Sequence, residues 1–244
     1  MDALRWWTRS LRLGVALCTL AAVFSFPASS VFALRSVTVT GIRTLSESEI
    51  RRTAGLRLGT PLVWIDPDAV ARRLRTIPRV RDVRVEPRFP HEVRIHVVER
   101  TPAATVRLPF QTVVVDREGV VLGRGEDPKR PLLVADGFPP LPVRMGRSIP
   151  WPLVRSAITA VVALPQRVQN RIVLVRVDPK GPLEVQLTSG VRVRVRPTDE
   201  LAERLMVAEA VVARLRARGV LVESVDVRFG DRAVVRPLPV GRSP

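Results

Sequence analysis

The sequence predicts an α+β protein in three parts: an N-terminal transmembrane helix, a compact β-α-α-β-β unit, and a mixed β-sheet domain with flanking helices. Three observations predict it. Residues 13–34 carry no charge. Valine-rich runs between Val37 and Val97 alternate with period two around two helical segments that have clear start and stop residues. Beyond residue 101 the period-two runs recur, broken by Pro/Gly turns and one long segment of helical period.

Arg5, Arg9 and Arg12 precede the uncharged stretch from Leu13 to Leu34. Its 22 residues suffice for a helix to cross about 30 Å of hydrocarbon. Arginines ahead of it favour a cytoplasmic N-terminus, which leaves residues 1–12 as a short cytoplasmic tail. A long basic domain does not oppose this, because such domains translocate largely regardless of charge. Trp6 and Trp7 suit the inner headgroup region. The rival is a cleaved signal peptide, with Leu13–Phe26 as its apolar region and Val31-Phe32-Ala33 as its cleavage site; Pro27, Ser29 and Ser30 favour it. Both readings put residues from about Leu34 onward across the membrane.

The first folded unit is expected over residues 35–101. Val37 and Val39 alternate with Ser36, Thr38 and Thr40, and Gly41 permits a turn. Ser46-Glu47-Ser48-Glu49 has capping-box form, Ile50 and Ala54 share a helical face, and Gly55 is a stop. A second helix starts at Asp66-Pro67, buries Val70, Leu74 and Ile77, and is ended by Pro78. Val83 and Val85 form a strand, Pro87 to Pro90 a corner, and Val93, Ile95 and Val97 a second strand.

Residues 102–239 form the larger domain, and 240–244 are expected to be a disordered tail. Val113-Val114-Val115 and Val120-Val121-Leu122 flank a turn at Asp116-Arg117-Glu118-Gly119. Glu126 to Pro152 is rich in Pro and Gly and reads as loop, with an insertion-like part around Phe138 to Ser148. A short helix follows from Pro152 to Leu164, ended by Pro165. Three strands come next, at Ile172–Val177, Leu183–Leu187 and Val191–Arg196. Thr198 caps a long helix whose buried stripe is Leu201, Leu205, Ala208, Val212 and Leu215, and Gly219 stops it. Val225 and Val227 begin a strand, Gly230-Asp231 turns, and Ala233–Arg236 is the last strand.

The formal net charge is +17, carried almost wholly by Arg, since Lys129 and Lys180 are the only lysines. That balance is compatible with nucleic acid, an anionic membrane, an acidic polymer, or simply a genome rich in Arg codons. No basic run is interleaved with aromatics and Tyr is absent, so no stacking surface for a single strand exists and no specific nucleic acid is expected. Cys18 is the only cysteine, which excludes an intrachain disulfide and a Cys-based zinc site. His91 and His96 are the only histidines and read as exposed residues flanking the hairpin. Asp226 reads as a strand-end residue bonded to nearby backbone and Asp231 as a turn former, not as paired carboxylates. There is no nucleophile elbow and no phosphate-binding glycine loop. These absences predict a non-enzyme without cofactor or metal.

The first unit resembles an FtsQ-type POTRA domain. The resemblance rests on Val37-Thr38-Val39-Thr40-Gly41, Gly59-Thr60-Pro61-Leu62, Ile65-Asp66, Pro78-Arg79-Val80 with Val83 and Val85, Pro90 with Val93-Arg94-Ile95, and Glu99-Arg100-Thr101-Pro102-Ala103. The second resembles the β domain that follows POTRA in the FtsQ/DivIB cell-division family, through Ser224-Val225-Asp226-Val227-Arg228-Phe229 and Ala233-Val234-Val235-Arg236-Pro237. The resemblance implies a bitopic scaffold of the divisome. It would sit in the cytoplasmic (inner) membrane at the division septum, with its N-terminus inside and its domains outside, and help link division to septal wall synthesis. It implies partners of the FtsB/DivIC and FtsL type, joined by strand addition at the last β strand, and further divisome proteins through the POTRA domain. Aligned by motif, the partner-binding residues are Arg196, Phe229, Ala233, Val234, Val235 and Arg236. Two other readings stay open: a POTRA-containing extracytoplasmic transport or assembly module, favoured by a β-barrel partner gene, and a basic envelope protein binding anionic polymer, favoured by affinity that falls steeply with salt. Mass spectrometry of the mature protein is expected to find the residues before Leu34 retained; an N-terminus at Leu34 would identify a signal peptide instead.

Overall fold

The computed structural model describes residues 30–198, 200–229 and 232–238. The expectations for the tail 1–12, for most of the span, for Cys18, Asp199 and Gly230-Asp231, and for 240–244 fall outside them. Among the described residues no helix is long and apolar enough to cross a membrane. The chain divides into two compact units, meeting between Glu99 and Arg100.

In the first unit, β1 (Ser36–Thr40) leads to α1 (Glu47–Ala54), a 3-10 turn (Leu62–Trp64), α2 (Pro67–Leu74), β2 (Val80–Arg88) and β3 (Glu92–Glu99). The Ser46 hydroxyl accepts the Glu49 N–H at 3.1 Å, and Gly55 closes α1 in the left-handed region. The Asp66 carboxylate accepts the N–H groups of Asp68 and Ala69 ahead of Pro67. The second helix stops at Leu74, short of the Pro78 that the sequence suggests; Arg75 closes it, and Ile77 is buried from the following turn. β3 is central, parallel to β1 and antiparallel to β2. Its Val93, Ile95 and Val97 lie under Ile50, Ala54, Val70 and Leu74 in one core. β2 runs through the expected corner to Arg88, with Pro87 opposite Val93. An edge strand tolerates a residue without an N–H.

Leu34 corrects the sequence boundary of the span. It is 1% exposed within this core, its N–H bonded to the Thr60 carbonyl at 2.9 Å and its carbonyl to the Gly59 N–H at 2.8 Å. Residues 30–34 therefore belong to the folded unit. The uncharged stretch that precedes them, 13–29, has 17 residues.

The second unit is built on a nine-stranded sheet. Its strands are β4 (Ala104–Leu108), β5 (Gln111–Val115), β6 (Val121–Arg124), β7 (Leu132–Val134), β8 (Ile172–Val177), β9 (Leu183–Leu187), β10 (Arg192–Val195), β11 (Val222–Phe229) and β12 (Arg232–Pro237). The spatial order is β12-β11-β10-β9-β8-β7-β4-β5-β6. Val113, Val106, Leu133, Val175, Val185, Val193, Val225 and Val235 stand opposite one another in register across eight of these strands. This row packs with α3 (Pro152–Ala163), through Val154, Ala157, Ile158 and Val161, and with α5 (Leu201–Arg216), through Leu201, Leu205, Ala208 and Val212. The four-residue α4 (Gln166–Gln169) joins α3 to β8.

Two strands are not among the sequence expectations: β4, and β7 inside the stretch read as loop. The expected cap at Thr198 is also displaced. Glu200 occupies the N-cap of α5 without a side-chain cap bond, and Thr198 contributes only its carbonyl, to the Leu201 N–H. The β5–β6 turn forms where expected, and the buried Asp116 carboxylate pins it. It accepts the N–H groups of Glu118 and Val120 and pairs with Arg100 at 2.5 Å.

In the first unit a comparable clamp holds the β1–α1 loop. The Glu99 carboxylate accepts the N–H groups of Arg43 at 2.6 Å, Thr44 at 3.1 Å and Leu45 at 3.1 Å, and the Thr44 hydroxyl at 2.7 Å. Burial works against ionisation, but these donors outweigh it and hold the carboxyl at about 2, against an ordinary 4.5. A depressed folded value means the clamp contributes fully above pH 4.5 and is lost as pH falls toward 2. Glu99→Gln is expected to cost about 1–2 kcal/mol at neutral pH after allowance for solvent screening. It should also flatten the acid limb of stability, read by denaturant titration at stepped pH; an unchanged acid limb would refute the clamp.

Candidate partner-docking edge

β12 lies at one end of the sheet and pairs with β11 alone. In antiparallel register Val235 faces Val225, Val234 faces Asp226, Arg236 faces Ser224 and Arg232 faces Phe229, with irregularities along the ladder. Period two sorts its side chains. Ala233 and Val235 are partly buried against the core shared with α5. Val234 is 58% exposed, and Arg232 and Arg236 are exposed beside it.

The cross-strand row that ends at Val234 is charged. Arg176, Glu184, Arg194 and Asp226 succeed one another across β8, β9, β10 and β11. Glu184 pairs with Arg176 at 3.5 Å and with Arg194 at 3.6 Å. Asp226 is held by Arg228 through two parallel contacts, Nε to Oδ1 at 2.9 Å and Nη2 to Oδ2 at 2.6 Å, and it also accepts the Arg228 N–H. Partial burial pushes the Asp226 carboxyl up. The Arg228 side chain and backbone, with Arg194 beyond, outweigh this and leave it below its usual range. The Arg228 guanidinium carbon also lies 5.3 Å from the centre of the Phe229 ring. That contact is a cation–π pair, and it fixes a ring that remains 55% exposed.

Beside the strand, a groove of about 330 Å³ is lined by Val207, Val227 and Ala233, with Glu200, Glu203, Arg204 and Arg232 completing it. Sheet edges exposing apolar residues are normally blunted by charge or proline. Here Arg232, Arg236 and Pro237 lie in the strand itself, while Val234 and Phe229 stay uncovered. The geometry suits an added strand, whose alternate side chains would meet the groove on one face and Val234 on the other.

Of the residues singled out in the sequence, Phe229, Ala233, Val234, Val235 and Arg236 fall on this one pair of strands. Arg196 does not. It is exposed just past the end of β10, with β11 between that strand and β12. Asp226 is not a strand-end residue: it lies within β11, and its main partner is the Arg228 side chain. An Asp-x-Arg spacing on a strand puts both groups on one face, a signal that sequence reading passed over. The groove was missed because Val207 lies outside the buried helical stripe. His96 is exposed and bonded to Thr40, but His91, within the β2–β3 turn, is half-buried rather than exposed. Among the described residues no group of three His, Cys, Asp or Glu side chains is placed to hold a metal ion.

Comparison with known proteins matches residues 32–100 to the family described as POTRA domain, FtsQ-type. Residues 104–228 match cell division protein FtsQ/DivIB, C-terminal. A cell division protein FtsQ of Mycolicibacterium smegmatis is 32% identical over 70% of this chain and 48% of its own. One from Mycobacterium leprae is 30% identical over 88% and 58%. One from Streptomyces coelicolor is 32% identical over 73% and 70%. The matches thus span about half the length of the mycobacterial relatives.

Proline scanned singly through Ala233, Val234 and Val235 is expected to lower the thermal midpoint at alternate positions only, since only alternate N–H groups of an edge strand pair inward. Uniform unfolding at all three would mean that β12 is paired on both sides.

Proposed function

The chain belongs to the FtsQ/DivIB family of cell division proteins, and from that premise we propose that it is a non-enzymatic, membrane-tethered scaffold of the divisome. It recruits division partners of the FtsB/DivIC and FtsL type by strand addition at β12. The observation that carries this reading is an edge strand that presents Val234 and an exposed Phe229 beside a groove of mixed apolar and charged lining. Backbone pairing with β12 supplies affinity, and the groove and Phe229 select the side chains. Arg232 and Arg236 border the docked segment with positive charge. The POTRA unit engages further divisome proteins. In this reading residues 13–29 hold the protein in the inner membrane at the septum, with the N-terminus inside and both units outside.

A fluorescent fusion in dividing cells is expected to form a band at midcell. Proline at the outward-facing position of β12 should keep the thermal midpoint but weaken binding to an FtsB/DivIC-type peptide by at least about 1 kcal/mol, one hydrogen bond's worth. A diffuse envelope signal would overturn the division role. Intact binding with proline at all three positions would move the docking site elsewhere.

A further inference from the structure

Among the described residues of the first unit six large apolar side chains are exposed: Val31, Leu58, Val63, Trp64, Phe89 and Val98. Five of them gather where the chain leaves the uncharged stretch, on three segments tied to one another. The Leu34 N–H bonds Thr60 and the Arg35 N–H bonds the His91 carbonyl at 2.8 Å. The Phe32 ring meets the Phe89 ring edge-on at 6.0 Å, and Ala33 bridges to Pro61. Trp64 is 69% exposed, Leu58 67% and Phe89 61%. Exposed Arg35 and Arg57 stand among them.

We infer that this rim is a membrane-seating surface: Leu58, Val63, Trp64 and Phe89 rest in the outer interface of the bilayer, with Arg35 and Arg57 against lipid phosphates. The inference depends on the membrane-anchored reading of residues 13–29. The chain itself names the occupant. No spacer separates the uncharged stretch from folded residues, because Leu34 is already core and residue 30 already folded. A 17-residue span is at the short end for a bilayer, so the residues after it are drawn to the interface. Tryptophan is enriched at that depth, and Arg reaches phosphate while its stem stays in apolar surroundings. The sixth exposed residue, Val98, lies six residues along β3 from Glu92, about 20 Å from the rim.

Nitroxide labels on full-length protein in nanodiscs of phosphatidylcholine and phosphatidylglycerol test this. In a Cys18→Ala background, labels at Leu58→Cys and Phe89→Cys are expected to favour collision with oxygen over a water-soluble nickel chelate. A label at Val98→Cys should show the reverse, and native Cys18 should report hydrocarbon. If the Leu58 and Phe89 labels match Val98 while Cys18 reports hydrocarbon, the seating is wrong and the anchor stands. If Cys18 also matches Val98, the anchor has failed and the seating with it. Shielding from both reagents would mean that protein, not lipid, covers the rim, and would overturn the bilayer as occupant.

Discussion

One apolar row, in register from Val113 to Val235, organises the larger unit. In β4, β9, β10 and β11 a slip of one residue either way would exchange the buried valine for a polar or charged neighbour. The row therefore fixes the registers of these four strands at once. It also decides which face α3 and α5 cover, because their buried stripes join the same core. The charged row of Arg176, Glu184, Arg194 and Asp226 is the complementary product of that register. Alternating signs let each carboxylate meet a guanidinium, so an uncovered sheet face stays compatible with water.

The docking edge follows from the same constraint. Val235 must complete the row, so Val234 must point the other way. Phe229 ends β11 beside Arg228, which Asp226 already holds. An exposed ring attached to a fixed guanidinium loses little freedom when a partner covers it, and less freedom lost on docking leaves more net affinity.

The first unit was nearly all legible in the sequence, because each of its elements has both a period and a punctuating residue: Ser46, Gly55 and Asp66 begin or end helices by chemistry a reader can see. The larger unit hid β7 for a physical reason. β7 lies between two parallel neighbours, β4 and β8, and parallel strands covered on both faces lose the alternation that marks a half-exposed strand. β4 does alternate, Ala104, Val106 and Leu108 against Thr105 and Arg107, but over only five residues, and it was passed over. The edge residues on β11 and β12 were legible as a pair of strands with a turn between. Strand order was not, so Arg196 was grouped with residues from which β11 separates it. Leu34 was misassigned because an apolar residue at the end of an apolar run looks the same whether lipid or a protein core buries it.

An uncovered edge strand also faces the risk of pairing with a second copy of itself. Antiparallel pairing centred on Val234 would set Arg232 of one copy against Arg236 of the other, twice over. Like charges directly opposite one another on paired strands repel. Homotypic fibre growth is thereby disfavoured at the position most open to it, while a foreign segment without cations at those two places meets no such barrier.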